Sequence, residues 1–241
     1  MKRNFLFAWY QTPRGRLLQE LEAKYLQHAI QVSCKQTIVQ IGGLNWENEF
    51  IDCTLYEKFI IIDYKGMGCP EALKIQAKAF ALPIQTASVD LVILPHLLEF
   101  DAQRFQTIRE VERILKPEGE LIIVNFNPWN LWLRYQFVLD KKWSNTWHAH
   151  FISRNRVIDW LKLLNFEIKL CSEFNINQID QLDAPTINFK TSRNPLLGMA
   201  YAVKAIKRRY NLIPLTPILT NPVRLAIQSH FEPSQCVNND D

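Results

Sequence analysis

Four short apolar runs constrain this chain more than any other feature: Thr37-Ile38-Val39-Gln40-Ile41, Phe59-Ile60-Ile61-Ile62, Leu91-Val92-Ile93-Leu94 and Leu121-Ile122-Ile123-Val124. They end abruptly, at Gly42, Asp63, Pro95 and Asn125. The apolar character of Phe59-Ile60-Ile61-Ile62 is continuous rather than alternating, as in a strand covered on both faces. Such strands alternating with helical patterns argue for βαβ units around a parallel sheet. The fold class this implies is α/β: a Rossmann-like, doubly wound, seven-stranded and mostly parallel sheet with helices on both faces.

The remaining elements are placed by period and punctuation. A helix is expected over 16–30, with Leu17, Leu18, Leu21, Tyr25 and Leu26 at helical spacing and Pro13 ahead of it. A third strand is expected near 77–80. A helix over 102–115 carries Phe105, Ile108, Val111, Ile114 and Leu115 as one stripe. Lys116-Pro117-Glu118-Gly119 then makes a turn, with glycine suited to a positive φ. Ser153 can cap a helix running to about Leu164, and Asn165 suits a left-handed end. Strands six and seven follow at 166–170 and 198–206.

The chain has 241 residues, 48% hydrophobic and 22% charged, which suits one ordinary domain. The organisation expected is an N-terminal helical segment (1–35) packed on the core, an α/β domain (36–220) and a tail (221–241). An aromatic cover is expected at about 129–150 and an irregular stretch at 172–197. No apolar run approaches the roughly 20 residues of a membrane-spanning helix, and the basic start lacks a cleavage site. The five scattered cysteines, with no C-x-x-C pair, fit a reducing cytoplasm. A net charge of +4 falls short of a nucleic-acid footprint, and the cluster Lys204, Lys207, Arg208, Arg209 reads as a solvated face. His148-Ala149-His150 lacks the company a metal site needs, so no metal is expected.

Ligands of a doubly wound sheet bind beyond the carboxyl ends of its strands. Gly42 and Gly43 lie there after strand one and allow close backbone approach. Asp63 ends strand two, 21 residues after Gly42, and can accept hydrogen bonds from two ribose hydroxyls. Together they favour a nucleoside site over a tight turn and a solvated carboxylate. An NAD-dependent dehydrogenase would need the G-x-G-x-x-G run that is missing here.

Two blocks carry a family resemblance: Leu82-Pro83-Ile84 through Ser88-Val89-Asp90-Leu91-Val92 to Leu94-Pro95-His96-Leu97-Leu98-Glu99, and Arg109-Glu110-Val111-Glu112-Arg113-Ile114-Leu115-Lys116-Pro117-Glu118-Gly119-Glu120-Leu121. In order and spacing they resemble the class I S-adenosylmethionine (SAM)-dependent methyltransferases of type 11. Trp9, Thr12-Pro13, Asn127-Pro128-Trp129-Asn130 and Phe151-Ile152-Ser153 resemble a bacterial subgroup of them. The resemblance implies SAM as cofactor and a small-molecule acceptor. It implies cofactor contacts at Gly42, Gly43, Asp63, Ala79 and Leu94, and it puts His96 and Glu99 on the acceptor side as candidate catalytic residues.

The chain also departs from the family pattern. Gln40 replaces an acidic residue, Leu44 and Trp46 stand where relatives carry glycine, and Lys78 stands where an acid would accept from the adenine amino group. Leu44 and Trp46 are accordingly expected to crowd the cofactor loop. Asn127-Pro128-Trp129 follows strand five, whereas the similar motif of amino-methylating DNA enzymes follows strand four. The alternative to an enzyme is an inactive scaffold that kept the fold.

Overall fold

In a computed structural model the described residues are 4–31, 37–52, 58–130, 150–175 and 198–208. They fall within one unit, Met1–Arg209. Two helices, α1 (Asn4–Tyr10) and α2 (Pro13–Gln31), precede β1 (Thr37–Ile41). Next come β2 (Lys58–Ile62), β3 (Leu73–Ile75), β4 (Val89–Pro95), α3 (Arg104–Ile114), β5 (Leu115–Phe126), α4 (Arg154–Leu163), β6 (Phe166–Phe174) and β7 (Ala200–Lys207).

The strands form one sheet in the order β3-β2-β1-β4-β5-β7-β6. Pairing is parallel from β3 through β5, and β7 runs antiparallel to both β5 and β6. The period of a strand sends successive side chains to opposite faces. Ile38, Leu91, Ile93, Ile122 and Val124 pack with Leu18, Leu21, Tyr25 and Leu26 of α2. Val39, Val92, Leu94, Leu121 and Ile123 pack with Ile108, Val111 and Ile114 of α3 and with Val157 and Leu161 of α4. The doubly wound, mostly parallel architecture expected from the apolar runs is what the chain forms.

The two resembling blocks are fastened to each other by side chains. Arg113 donates to the carbonyls of Ile84 (2.9 Å) and Leu82 (3.1 Å) and pairs with Glu110 at 2.8 Å. Glu110 in turn accepts from the Leu82 amide. That guanidinium holds the Glu110 carboxyl below the usual carboxylate range. Asp90 accepts from the Thr37 amide and pairs with Lys116 at 2.8 Å, tying β1, β4 and the start of β5 together.

Several boundaries differ from expectation. The third strand lies at Leu73–Ile75 rather than near 77–80, where Lys78 and Ala81 form only an isolated bridge. In the turn after α3 the positive φ (63°) falls on Glu118, whereas Gly119 is needed because a Cβ would lie 2.9 Å from the Lys116 carbonyl oxygen. Phe105 is exposed, its ring against that of Trp160. Ser153 sits at the N-cap of α4 without a side-chain capping bond, while Asn165 does take the left-handed conformation, with φ 60°. Most of the aromatic cover (131–149), most of the 172–197 stretch (176–197) and the tail (221–241) lie outside the described residues.

The basic cluster is internally paired. Lys204 meets Glu120 and the Ala29 carbonyl, Lys207 meets Glu112, and Arg208 meets Glu118 and Glu167. Arg209 lies outside the described residues.

At the α1 to α2 corner, a Cβ on Gly15 would lie 2.1 Å from the Trp9 carbonyl oxygen. Propensity alone makes Gly→Ala within a helix stabilising by about 1 kcal/mol. Gly15→Ala is predicted to reverse that sign and cost about 1–3 kcal/mol through overpacking, read as a lowered urea midpoint. A raised midpoint would show that the corner is loose.

Candidate functional site

The loops after β1 and β2 meet at the carboxyl edge of the sheet. Gly42 carries φ 96°, and its amide donates to the Ile62 carbonyl at 2.7 Å. Gly43 is required for a different reason, because a Cβ there would lie 2.2 Å from the Met67 carbonyl oxygen and 2.6 Å from the Gly68 nitrogen. The space beside Gly43 is thus taken by the chain's own backbone. Asn45, at φ 70°, accepts from the Gly68 amide at 2.8 Å and closes the contact between the two loops.

Beneath the loops lies a carboxylate that sequence reading passed over. Glu47 is fully buried in a single 3-10 turn, Glu47–Glu49. Its Oε1 accepts from the Leu44 amide at 2.6 Å and from Gln40 Nε2 at 2.9 Å, and its Oε2 accepts from the Cys69 amide at 3.0 Å. Gln40 also donates to the Gly42 carbonyl at 3.0 Å. An acid at position 40 would put two carboxylates together, whereas the amide supplies the N–H that both acceptors need. Gln40 thus complements the buried Glu47 carboxylate.

Leu44 and Trp46 are both packed into the core. Leu44 is 1% exposed within the core cluster, and the Trp46 ring packs edge-on against Tyr10 and Phe50. Without a full helix between β1 and β2 in the described residues, these apolar side chains fill that side of the sheet themselves.

Asp63 follows β2, half-buried, and its Oδ2 accepts from the amides of Lys65 (2.8 Å) and Met67 (3.3 Å). It therefore shapes the turn that carries Met67 and Gly68 as well as facing the strand end. Ala79 is half-buried. Lys78 is exposed, with its ammonium 5.5 Å from the Phe80 ring centre. The Leu94 side chain is fully buried on the α3 face, so any ligand contact it makes comes from its backbone.

The structure brings His96 and Glu99 together and buries both completely. His96 follows β4 with φ 45°, its amide bonded to the Val124 carbonyl. Its Nδ1 lies 3.4 Å from Glu99, and its Nε2 lies 3.0 Å from Glu22 of α2, a partner 74 residues away that no local pattern reveals. Burial works to lower the His96 pKa, but the two carboxylates outweigh it and raise it to about 9. Around this group Trp9 packs on Phe126 and Tyr10 faces His96, so α1 covers the ends of β4 and β5.

Beyond β5, Asn127 and Asn130 both donate to the Gly198 carbonyl, and Asn127 Oδ1 accepts from the Trp129 amide. This sets 127–130 as a turn with Trp129 exposed. Tyr201 on β7 donates to the Ile152 carbonyl at 2.7 Å, and burial pushes its hydroxyl pKa far above the usual phenol range.

The fold has counterparts among solved structures. The fold is that of the class I methyltransferases: a SAM-dependent methyltransferase from Archaeoglobus fulgidus superposes with a TM-score of 0.59 at 20% identity, over 78% of this chain and 94% of that one. A SAM-dependent methyltransferase from Thermotoga maritima gives 0.59 at 19% identity, over 85% and 95%. Residues 48–123, from the loop after β1 into β5, match the type 11 methyltransferase domain family. The Escherichia coli K12 protein YafS is 26% identical over 217 residues, covering 90% of this chain and 85% of that protein. The resemblance read from residues 82–121 is borne out by this match. Among the described residues, no helix is long and apolar enough to cross a membrane.

Glu47→Ala is predicted to lower stability by about 3 kcal/mol or more, since it orphans buried N–H groups that a charged acceptor now satisfies. Gln40→Glu should also destabilise, by placing like charges together. An unchanged urea midpoint for both variants would show that the loop does not depend on this carboxylate.

Proposed function

We propose that the chain is a SAM-dependent methyltransferase acting on a small-molecule acceptor. The observation that carries this reading is the coincidence of the methyltransferase-like fold with a type 11 domain match over residues 48–123, which include the ends of β2 and β4. Its solved structural neighbours include SAM-dependent methyltransferases, which supports the same cofactor here.

The residues present fit a nucleoside ligand in part. Gly42 presents bare backbone after β1, Gly43 packs against the Met67–Gly68 backbone behind it, and the half-buried Asp63 carboxylate lies after β2 with acceptor capacity for ribose hydroxyls. Lys78 cannot accept from an adenine amino group, so that edge has to be read by backbone. When bound, SAM supplies a methyl group already activated on a sulfonium. The chain's own part is then to bind and orient, and alignment of this kind is worth roughly 7–11 kcal/mol of barrier. Glu47, Gln40 and Asn45 fix the loop after β1, Asp63 fixes the loop after β2, and Trp9 and Tyr10 keep water from the ends of β4 and β5.

His96 and Glu99 are held by buried partners. They remain the candidate catalytic pair on the acceptor side, with Glu22 and the Phe126 amide fixing their orientation.

Calorimetric titration with SAM and S-adenosylhomocysteine tests the reading. Both are expected to bind, and Asp63→Asn, which keeps an acceptor for the turn but loses the charge, should weaken binding by about 1.5–3 kcal/mol, or roughly tenfold to a hundredfold. Silence of the folded wild-type protein at millimolar ligand would overturn the assignment and favour a scaffold. Unchanged affinity in Asp63→Asn would remove Asp63 from the site.

A further inference from the structure

A continuous run of buried polar groups joins the N-terminal helices to the middle of the sheet. The Tyr10 hydroxyl of α1 donates to Glu22 Oε2 at 2.7 Å. Glu22 Oε1 lies 3.0 Å from His96 Nε2, and Glu99 Oε2 lies 3.4 Å from His96 Nδ1. Glu99 Oε1 accepts from the amide of Phe126, at the end of β5. Tyr10 is 2% exposed, Glu22 1%, and His96 and Glu99 0%.

We propose that Tyr10, Glu22, His96 and Glu99 form a proton-dependent latch that holds the N-terminal helix pair over the carboxyl ends of β4 and β5 and releases it when His96 loses a proton. Hydrogen-bond capacity is the first argument. A neutral imidazole has one donor and one acceptor nitrogen, so between two carboxylates one nitrogen lone pair would face an oxygen lone pair. Only the imidazolium donates to both.

Desolvation is the second argument. With His96 protonated, the group holds two buried carboxylates and one cation; without the proton, the carboxylates are left unopposed, and unpaired buried charge is strongly destabilising. Among the described residues no lysine or arginine pairs with Glu22 or Glu99. The groups facing His96 are Tyr10 from α1, Glu22 from α2 and Glu99 from the segment after β4, while β5 presents the Phe126 ring with its centre 4.2 Å away. On β7, Tyr201 senses Glu99, but burial keeps its hydroxyl protonated throughout the range concerned.

Geometry also decides which side lets go. Glu99 is tied to the Phe126 amide and its own carbonyl accepts from the His150 amide, so it is part of the sheet edge. Glu22 is carried on a helix whose withdrawal returns its carboxylate to water, and Tyr10 goes with it. Raised from 6.5 to about 9 in the folded protein, His96 contributes to closure fully below pH 6.5 and loses that contribution as pH rises through about 9. The closing equilibrium should change on the order of a hundredfold across that window.

The proposal stands apart from the methyltransferase reading, and its test needs no ligand. Amide hydrogen exchange in the full chain, corrected for intrinsic rates, is measured from pH 6 to 10. Residues 4–31 should exchange at least tenfold faster relative to β5 at pH 10 than at pH 7, with the transition at lower pH in Glu22→Gln. Nitrogen-15 spectra of the wild-type histidines should show His96 protonated on both ring nitrogens at pH 7.5. A neutral His96 at that pH, or exchange of 4–31 that does not depend on pH relative to β5, overturns the latch. Should Glu22→Gln fail to fold, the wild-type spectra alone decide.

Discussion

The carboxyl edge of the sheet depends on how a buried carboxylate is satisfied. Glu47 has no exposure, and among the described residues no lysine or arginine pairs with it; its charge is met by two backbone amides and the Gln40 side chain. Burying such a charge is tolerable only when donors surround it. Those donors come from the end of β1, from the loop after it and from the loop after β2. One side chain therefore fixes the loops that a ligand of this fold would meet.

The same logic recurs at the end of β4, where Glu22 and Glu99 share His96. At β1 the compensation is all N–H dipoles, which do not titrate. At β4 it is one imidazolium, which does. The two clusters lie at neighbouring strand ends yet differ in kind, the first closed by N–H donors of the loops and the second by an imidazole that also reaches α2. Leu44, Trp46, Trp9 and Tyr10 fill the space between as packing.

Much of the fold was legible in the sequence because the central strands are buried on both faces and are therefore mostly apolar. The runs at 37–41, 59–62, 91–94 and 121–124 could not be solvated strands or helix faces. The third strand was misplaced because Leu73–Ile75 is a short edge strand with Leu73 and Lys74 exposed, so burial imposes no apolar signature on it. The helix Asn4–Tyr10 was missed because it is only 7 residues long. In the site, Gly42 and Asp63 were visible from their places at strand ends. Glu47 and Glu22 were not, since a glutamate seven residues beyond Gln40, or 74 before His96, looks like any surface acid until the chain closes.

In the proposed reading, the two loops knitted together by Glu47 and Asn45 form the floor of a SAM site. Backbone amide exchange at 42–47 and 63–68, with and without saturating S-adenosylhomocysteine, tests it most directly. The account predicts ligand-dependent protection in both loops and none along α4 or β6. Saturation that leaves both loops unchanged, or that protects only residues remote from the ends of β1 and β2, would contradict it.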